Sequence, residues 1–189
     1  MKSLIVAAAL ALGVAACAPQ DDADDAQTAS VRGCQAVATE AWRPLSGAEF
    51  SIEATSAGPD CERAVATLTI RDAQGRALYT QAYPAEHVMG LSEARDVGAM
   101  QQALSAWISS SNHTIATTAA LPDWPAGADG PVSGEFPFHV AEGMTRADYL
   151  ALRQRDTPVY CYVQGMESQA CLALDNGALA PVGLQTFPG

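Results

Sequence analysis

Lysine is all but missing. The chain of 189 residues holds a single one, Lys2, and its other nine cations are arginines. Ten cations stand against 21 acids, so the precursor carries a net −11. A nucleic-acid binder needs a surplus of cations to neutralise phosphates, so that class is excluded. Charged residues make up only 16% of the chain and aromatics 6%, against 49% hydrophobic residues. That balance excludes an intrinsically disordered chain. Glycine has no three-residue period, which excludes a collagen-like rod, and the length suits one domain rather than a multi-domain machine. No C-x-x-C pair occurs to hold zinc, and no G-x-S-x-G marks a serine nucleophile. No apolar run reaches the roughly 20 residues that carry a helix across a bilayer.

The longest apolar run is about 13 residues, from Leu4 to Ala16, and it follows the one lysine. This is the layout of a secretory leader. The run ends in Val14-Ala15-Ala16-Cys17. An aliphatic residue, two small residues and a cysteine at the cleavage point resemble the lipobox of bacterial lipoproteins. The resemblance implies that residues 1–16 are a signal peptide and that Cys17 becomes the first residue. Cys17 then carries a thioether-linked diacylglycerol and an acylated amine. One acyl chain binds a bilayer marginally, whereas several hold. The next residue is Ala18, not the Asp associated with retention at the inner membrane. The resemblance therefore points to the outer membrane, with the chain facing the periplasm.

Residues 17–31 read as an acylated cysteine followed by a flexible tether. The stretch APQDDADDAQTAS carries four aspartates and no aromatic residue, so it has nothing to bury. Its like charges repel one another and extend it. Without the leader, nine arginines face 21 acids, a net of −12; setting aside the four tether aspartates leaves −8 on residues 32–189. A cationic surface is the partner favoured by that field.

Four cysteines remain: Cys34, Cys61, Cys161 and Cys171. An even number in an oxidising compartment predicts two disulfides. The preferred pairing is 34 with 61 and 161 with 171. For the second pair, VYCYVQ and QACLAL flank Gly165-Met166-Glu167. A hairpin centred on Met166 sets Cys161 opposite Cys171, close enough to bond. The same register puts Tyr160 and Tyr162 on one face with Ala170, Leu172 and Leu174.

Along residues 32–189, Val37, Ala41 and Trp42 suggest a helical segment over 31–45, stopping at Pro44. Alternating residues predict strands over 50–56, 62–71 and 77–83, joined by the turns Gly58-Pro59-Asp60 and Asp72-Ala73-Gln74-Gly75. Leu91, Ala94, Val97, Met100, Leu104, Trp107 and Ile108 recur at helical spacing, which predicts a long helix over 91–109 capped by Ser92. A strand is expected within 113–121. Thr145 caps a short helix over 146–155 that ends at Thr157-Pro158. Asp175-Asn176-Gly177 turns the chain into a last strand over 178–187. The expected fold is α+β: an antiparallel sheet of two hairpin or meander units, one long helix packed on it, and two disulfides.

Chemistry is sparse. His87, His113 and His139 lie in unrelated segments, and His87-Val88-Met89 alone is a poor metal site. No catalytic residue, metal ligand or cofactor is expected. The stretch 112–143 is rich in proline and glycine, and Pro-stiffened aromatics make low-entropy anchors for a partner. Trp124, Phe136, Phe138 and His139 are the candidate contacts. The expected function is that of a membrane-anchored envelope lipoprotein whose domain binds another envelope component without catalysis. The alternatives are a periplasmic hydrolase or an inhibitor of a basic enzyme such as lysozyme. With Lys2 removed and the new terminus acylated, the mature protein has no primary amine. An amine-reactive dye applied to the denatured mature protein is expected to leave it unlabelled; strong labelling would refute maturation at Cys17.

Overall fold

The computed structural model describes residues 33–44, 48–109, 115–132 and 134–187. The leader, Cys17, the tether and His113 lie outside the described residues. Residues 32–189 form one compact unit. Among the described residues the fold is mostly β: two four-stranded antiparallel sheets, two helices and two disulfides.

The first sheet is a meander of β1 (Ala36–Trp42), β2 (Phe50–Ala57), β3 (Val65–Arg71) and β4 (Ala77–Pro84), in that spatial order. Alternation sets its faces. Ile52, Ala54, Leu68 and Ile70 are fully buried, while Thr39, Ser51 and Thr80 on the other face are exposed. The 31–45 stretch is therefore a strand, not the helix suggested by Val37, Ala41 and Trp42. Strand pairing overrides that short apolar pattern: Trp42 lies opposite Phe50, their rings 5.2 Å apart, and the Cys34–Cys61 bond holds the start of β1 beside β2.

Helix α1 (Val97–Trp107) follows and packs along β1. It starts six residues later than the expected 91 because the cap is Asp96, whose carboxylate accepts from the Ala99 N–H at 2.8 Å. Before it, Gly90 sits at φ +87°, a left-handed conformation that breaks a helix, and the chain turns on bonds to the Val88 carbonyl. Leu91 and Ala94 are still buried, so their apolar spacing reports core contact rather than helix. The Gln101 carboxamide accepts from the Val37 N–H and donates to the Val37 carbonyl. It satisfies edge groups of β1 that would otherwise pair with another strand.

The second sheet has the order β5–β8–β7–β6, from β5 (Phe138–Val140), β6 (Val159–Val163), β7 (Ser168–Asp175) and β8 (Ala178–Thr186). Cys161 lies opposite Cys171 and bonds to it, the register expected from a hairpin centred on Met166. Asn176 and Gly177, at φ +52° and +75°, make the two-residue turn between β7 and β8. Helix α2 (Arg146–Arg155) begins in a reciprocal cap, with Thr145 bonded to the Asp148 N–H and the Asp148 carboxylate bonded back. The strand expected within 113–121 is, in its described part, one bridge from Thr117 to Pro158 and a single 3-10 turn.

The expected single sheet is thus two. Its two hairpin units meet face to face rather than edge to edge, because both present large apolar side chains. Tyr160, Tyr162, Leu172 and Leu179 of the second sheet join Ile52, Leu68 and Ile70 of the first in one core. The opposite face of the second sheet, Val159, Cys161, Cys171, Ala173 and Val182, forms another core with Tyr149 and Leu152 of α2. The second sheet is therefore the middle layer. At Gly183 there is no room for a side chain: a Cβ would fall against the His139 carbonyl oxygen and 2.6 Å from the Phe138 ring. Gly183→Ala is expected to lower stability by about 1–3 kcal/mol in urea unfolding. Gly130→Ala, in open space, is expected to stay within about 0.5 kcal/mol of the parent.

Candidate functional site

The aromatic candidates separate. Trp124 is buried under α2, with its indole N–H donating to the Ala128 carbonyl at 2.8 Å and its ring 5.6 Å from Tyr149. Phe138 is also buried, 6.4 Å from the same tyrosine. Both rings fill the core between the second sheet and α2 and offer no face to a partner in this conformation. His139 is exposed on β5. Phe136 is exposed, and its ring packs 5.8 Å from Phe187. The arginines of α2 are occupied. Arg153 pairs with Asp123, Arg155 pairs with Asp175, and Arg146 donates to the Trp124 and Pro125 carbonyls.

Phe187 leads to a groove that the sequence patterns do not show. It has a volume of ≈ 440 Å³, and its lining includes Met89, Gly90, Ala103, Ala106, Trp107, Val163 and Phe187, with Gln169 as its polar member. Three chain segments are each tied there to the end of the β6–β7 hairpin. The Met89 N–H donates to the Gly165 carbonyl at 3.2 Å, the Phe187 N–H to the Glu167 carbonyl at 2.8 Å, and the Trp107 indole N–H to the Val163 carbonyl at 2.6 Å. Met89 at 47% and Met166 at 53% exposure put large apolar side chains in water on these segments, and Phe136, at 41%, does so beside Phe187. A second hollow of ≈ 330 Å³ shares Gly90, Ala103 and Ala106 with the groove and extends it along α1 past Ala99 to Glu93. Contiguous exposed apolar surface of this kind marks interaction sites.

The wall behind the groove is aromatic. Tyr83 and Tyr162 both meet Trp107, at 6.2 and 6.3 Å. The Tyr162 hydroxyl lies 2.6 Å from that of Tyr79 and 2.7 Å from that of Tyr83, a chain of three phenols joining the sheets. Beyond them opens a cleft of ≈ 350 Å³, whose lining includes Tyr79, Gln81, Tyr83, Glu142, Gln164 and Leu184. Burial, the largest cause, pushes the Tyr83 phenol up to about 12 and the Tyr162 phenol higher still. Burial also pushes Tyr149 up to about 12. These phenols remain protonated at neutral pH and act as structural hydrogen-bonding groups.

Among the described residues, no group of three His, Cys, Asp or Glu side chains is placed to hold a metal ion. No helix among them is long and apolar enough to cross a membrane. Comparison of the chain with protein-family models, with curated proteins and with solved structures finds no match.

Sequence reasoning missed the groove because its walls come from α1, the turn that precedes it, the β6–β7 hairpin and the residue after β8. A local signal existed for one part: Tyr79 and Tyr83 are four apart on a strand and so share a face. A phenol whose folded pKa exceeds its unfolded value near 10 holds its proton more tightly in the native state. Its stabilising contribution is complete below pH about 10 and is lost as pH rises towards 12. Urea midpoints are expected to fall between pH about 10 and 12, and Tyr83→Phe or Tyr149→Phe should flatten that fall. Tyr162→Phe is expected to cost about 1–2 kcal/mol at pH 7, since it leaves two half-buried phenols without their shared partner.

Proposed function

We propose that the chain is a lipid-anchored envelope lipoprotein, and that residues 32–189 are a non-catalytic binding module for another envelope component. The observation that carries the anchor is Val14-Ala15-Ala16-Cys17 at the end of a 13-residue apolar run. The paired cysteines support it, because Cys34–Cys61 and Cys161–Cys171 bonds persist in an oxidising compartment. Ala18 in the following position favours the outer membrane, facing the periplasm. The four tether aspartates, repelled by anionic lipid, hold the domain off the surface.

The exposed groove supports the binding role. It offers apolar area, bordered by raised-pKa phenols, rather than a carboxylate pair or an activated nucleophile. The net −8 of residues 32–189 favours a cationic partner surface.

Intact-mass measurement of the native product tests the anchor. The expected species begins at Cys17 and carries a diacylglyceryl group and an N-linked fatty acid. Cys17→Ser is expected to accumulate as uncleaved precursor. An N-terminus elsewhere, or an unmodified Cys17 thiol, would overturn the reading.

A further inference from the structure

The arginines and the acids of this domain are unevenly used. Every described arginine is engaged: seven in ion pairs with carboxylates, and Arg146 with backbone carbonyls. The surplus of acid is therefore left uncompensated, and part of it borders the groove. Glu93 lines its extension along α1. Glu167 is exposed beside Met166, and its own carbonyl accepts from the N–H of Phe187, a wall residue of the groove. Glu135 precedes Phe136, whose ring rests on Phe187. None of the three has a cation partner among the described residues.

The floor has a helical shape. Ala99, Ala103 and Ala106 lie four and three residues apart on α1, so they form one ridge of small side chains. Small residues let a second helix approach closely, and its side chains would pack between the ridge and the wall of Met89, Val163 and Phe187. Methionines at such a rim adapt to the side chains they meet.

We infer that this groove receives a cationic amphipathic helix of another protein. Its apolar stripe lies along Ala99, Ala103 and Ala106, and its lysines or arginines meet Glu93, Glu135 and Glu167. This inference rests on the binding-module reading and names the partner's chemistry. Charge decides against the other occupants. A second copy of this domain would bring another −8, and the chain's own tether would bring four aspartates. Both are repelled by an acidic rim, whereas a basic helix is drawn to it.

The test uses the mature full-length protein and two fluorescent peptides of about 18 residues, some five helical turns. Both carry the same leucine stripe; one has lysines and the other glutamates at the remaining positions. The lysine peptide is expected to bind and gain helicity, and the glutamate peptide to stay free. Ala106→Trp fills the floor at an exposed position without changing charge. It is expected to weaken binding at least about tenfold, as loss of a central anchor does. Glu93→Gln with Glu167→Gln should reduce both the affinity and its salt dependence. Equal binding of both peptides, or lysine-peptide binding that survives Ala106→Trp, would overturn the inference, the second result meaning only diffuse attraction to an acidic protein. Dimerisation in sedimentation that Ala106→Trp abolishes would also overturn it, by assigning the groove to a second copy. The intact mass at Cys17 is read on the same sample. Groove binding without acylation would sink the anchor alone, and acylation without groove binding would sink this inference alone.

Discussion

The register between Cys161 and Cys171 governs more of this molecule than any other single constraint. The sheet that holds them is covered on both faces. Tyr160, Tyr162 and Leu172 go to the core shared with the first sheet, and Val159, Cys161, Cys171 and Ala173 go to the core under α2. In a strand pair, a slip of one residue exchanges the two faces. Here that would send the tyrosines under α2 and the disulfide into the inter-sheet core. The covalent bond between directly opposed residues removes that alternative. The same register carries the Tyr162 hydroxyl to Tyr79 and Tyr83 and brings Val163 to the groove wall.

What could be read in the sequence was what local chemistry decides. The hairpin about Met166, the Asn176-Gly177 turn, the Thr145 cap and both disulfides follow from residues within a few positions of one another, or from an even count of cysteines. What could not be read was set by distant contact. Ala36–Trp42 has helix-like spacing, yet it pairs with β2 because Trp42 finds Phe50 and Gln101 finds the Val37 backbone. Leu91 and Ala94 repeat at helical spacing without being helical, because the core beneath them is reached equally well from turns. Trp124 and Phe138 sit in a proline-rich segment that looked like a recognition loop. Tyr149 of α2 draws both rings inward, while Phe136, two residues before Phe138, stays at the surface.

Charge connects the fold to the proposed role. Nine arginines cannot neutralise 17 acids in residues 32–189, and the described arginines are already engaged within the domain, some locally and some, such as Arg153 and Arg155, across segments. Part of the excess therefore stays uncompensated near the groove, at Glu93 on its extension and at Glu135 and Glu167 next to the exposed Phe136 and Met166. A tether that carries only negative charge would hold such a domain away from anionic lipid, with the groove open to a basic partner. Anchor, tether and groove are mutually consistent parts of an envelope binding protein as proposed, each testable without the others.

The most direct measurement is the disulfide map of protein alkylated at the moment of cell lysis. A glutamate-specific protease cuts after Glu40, Glu49 and Glu53, and after Glu167, and so opens the chain inside both loops. The fold requires peptides joined as Cys34 to Cys61 and Cys161 to Cys171, with no alkylated thiol at any of the four. A crossed pairing would contradict the register on which the two cores depend, and free thiols at Cys161 and Cys171 in protein taken from intact cells would contradict the proposed oxidising compartment.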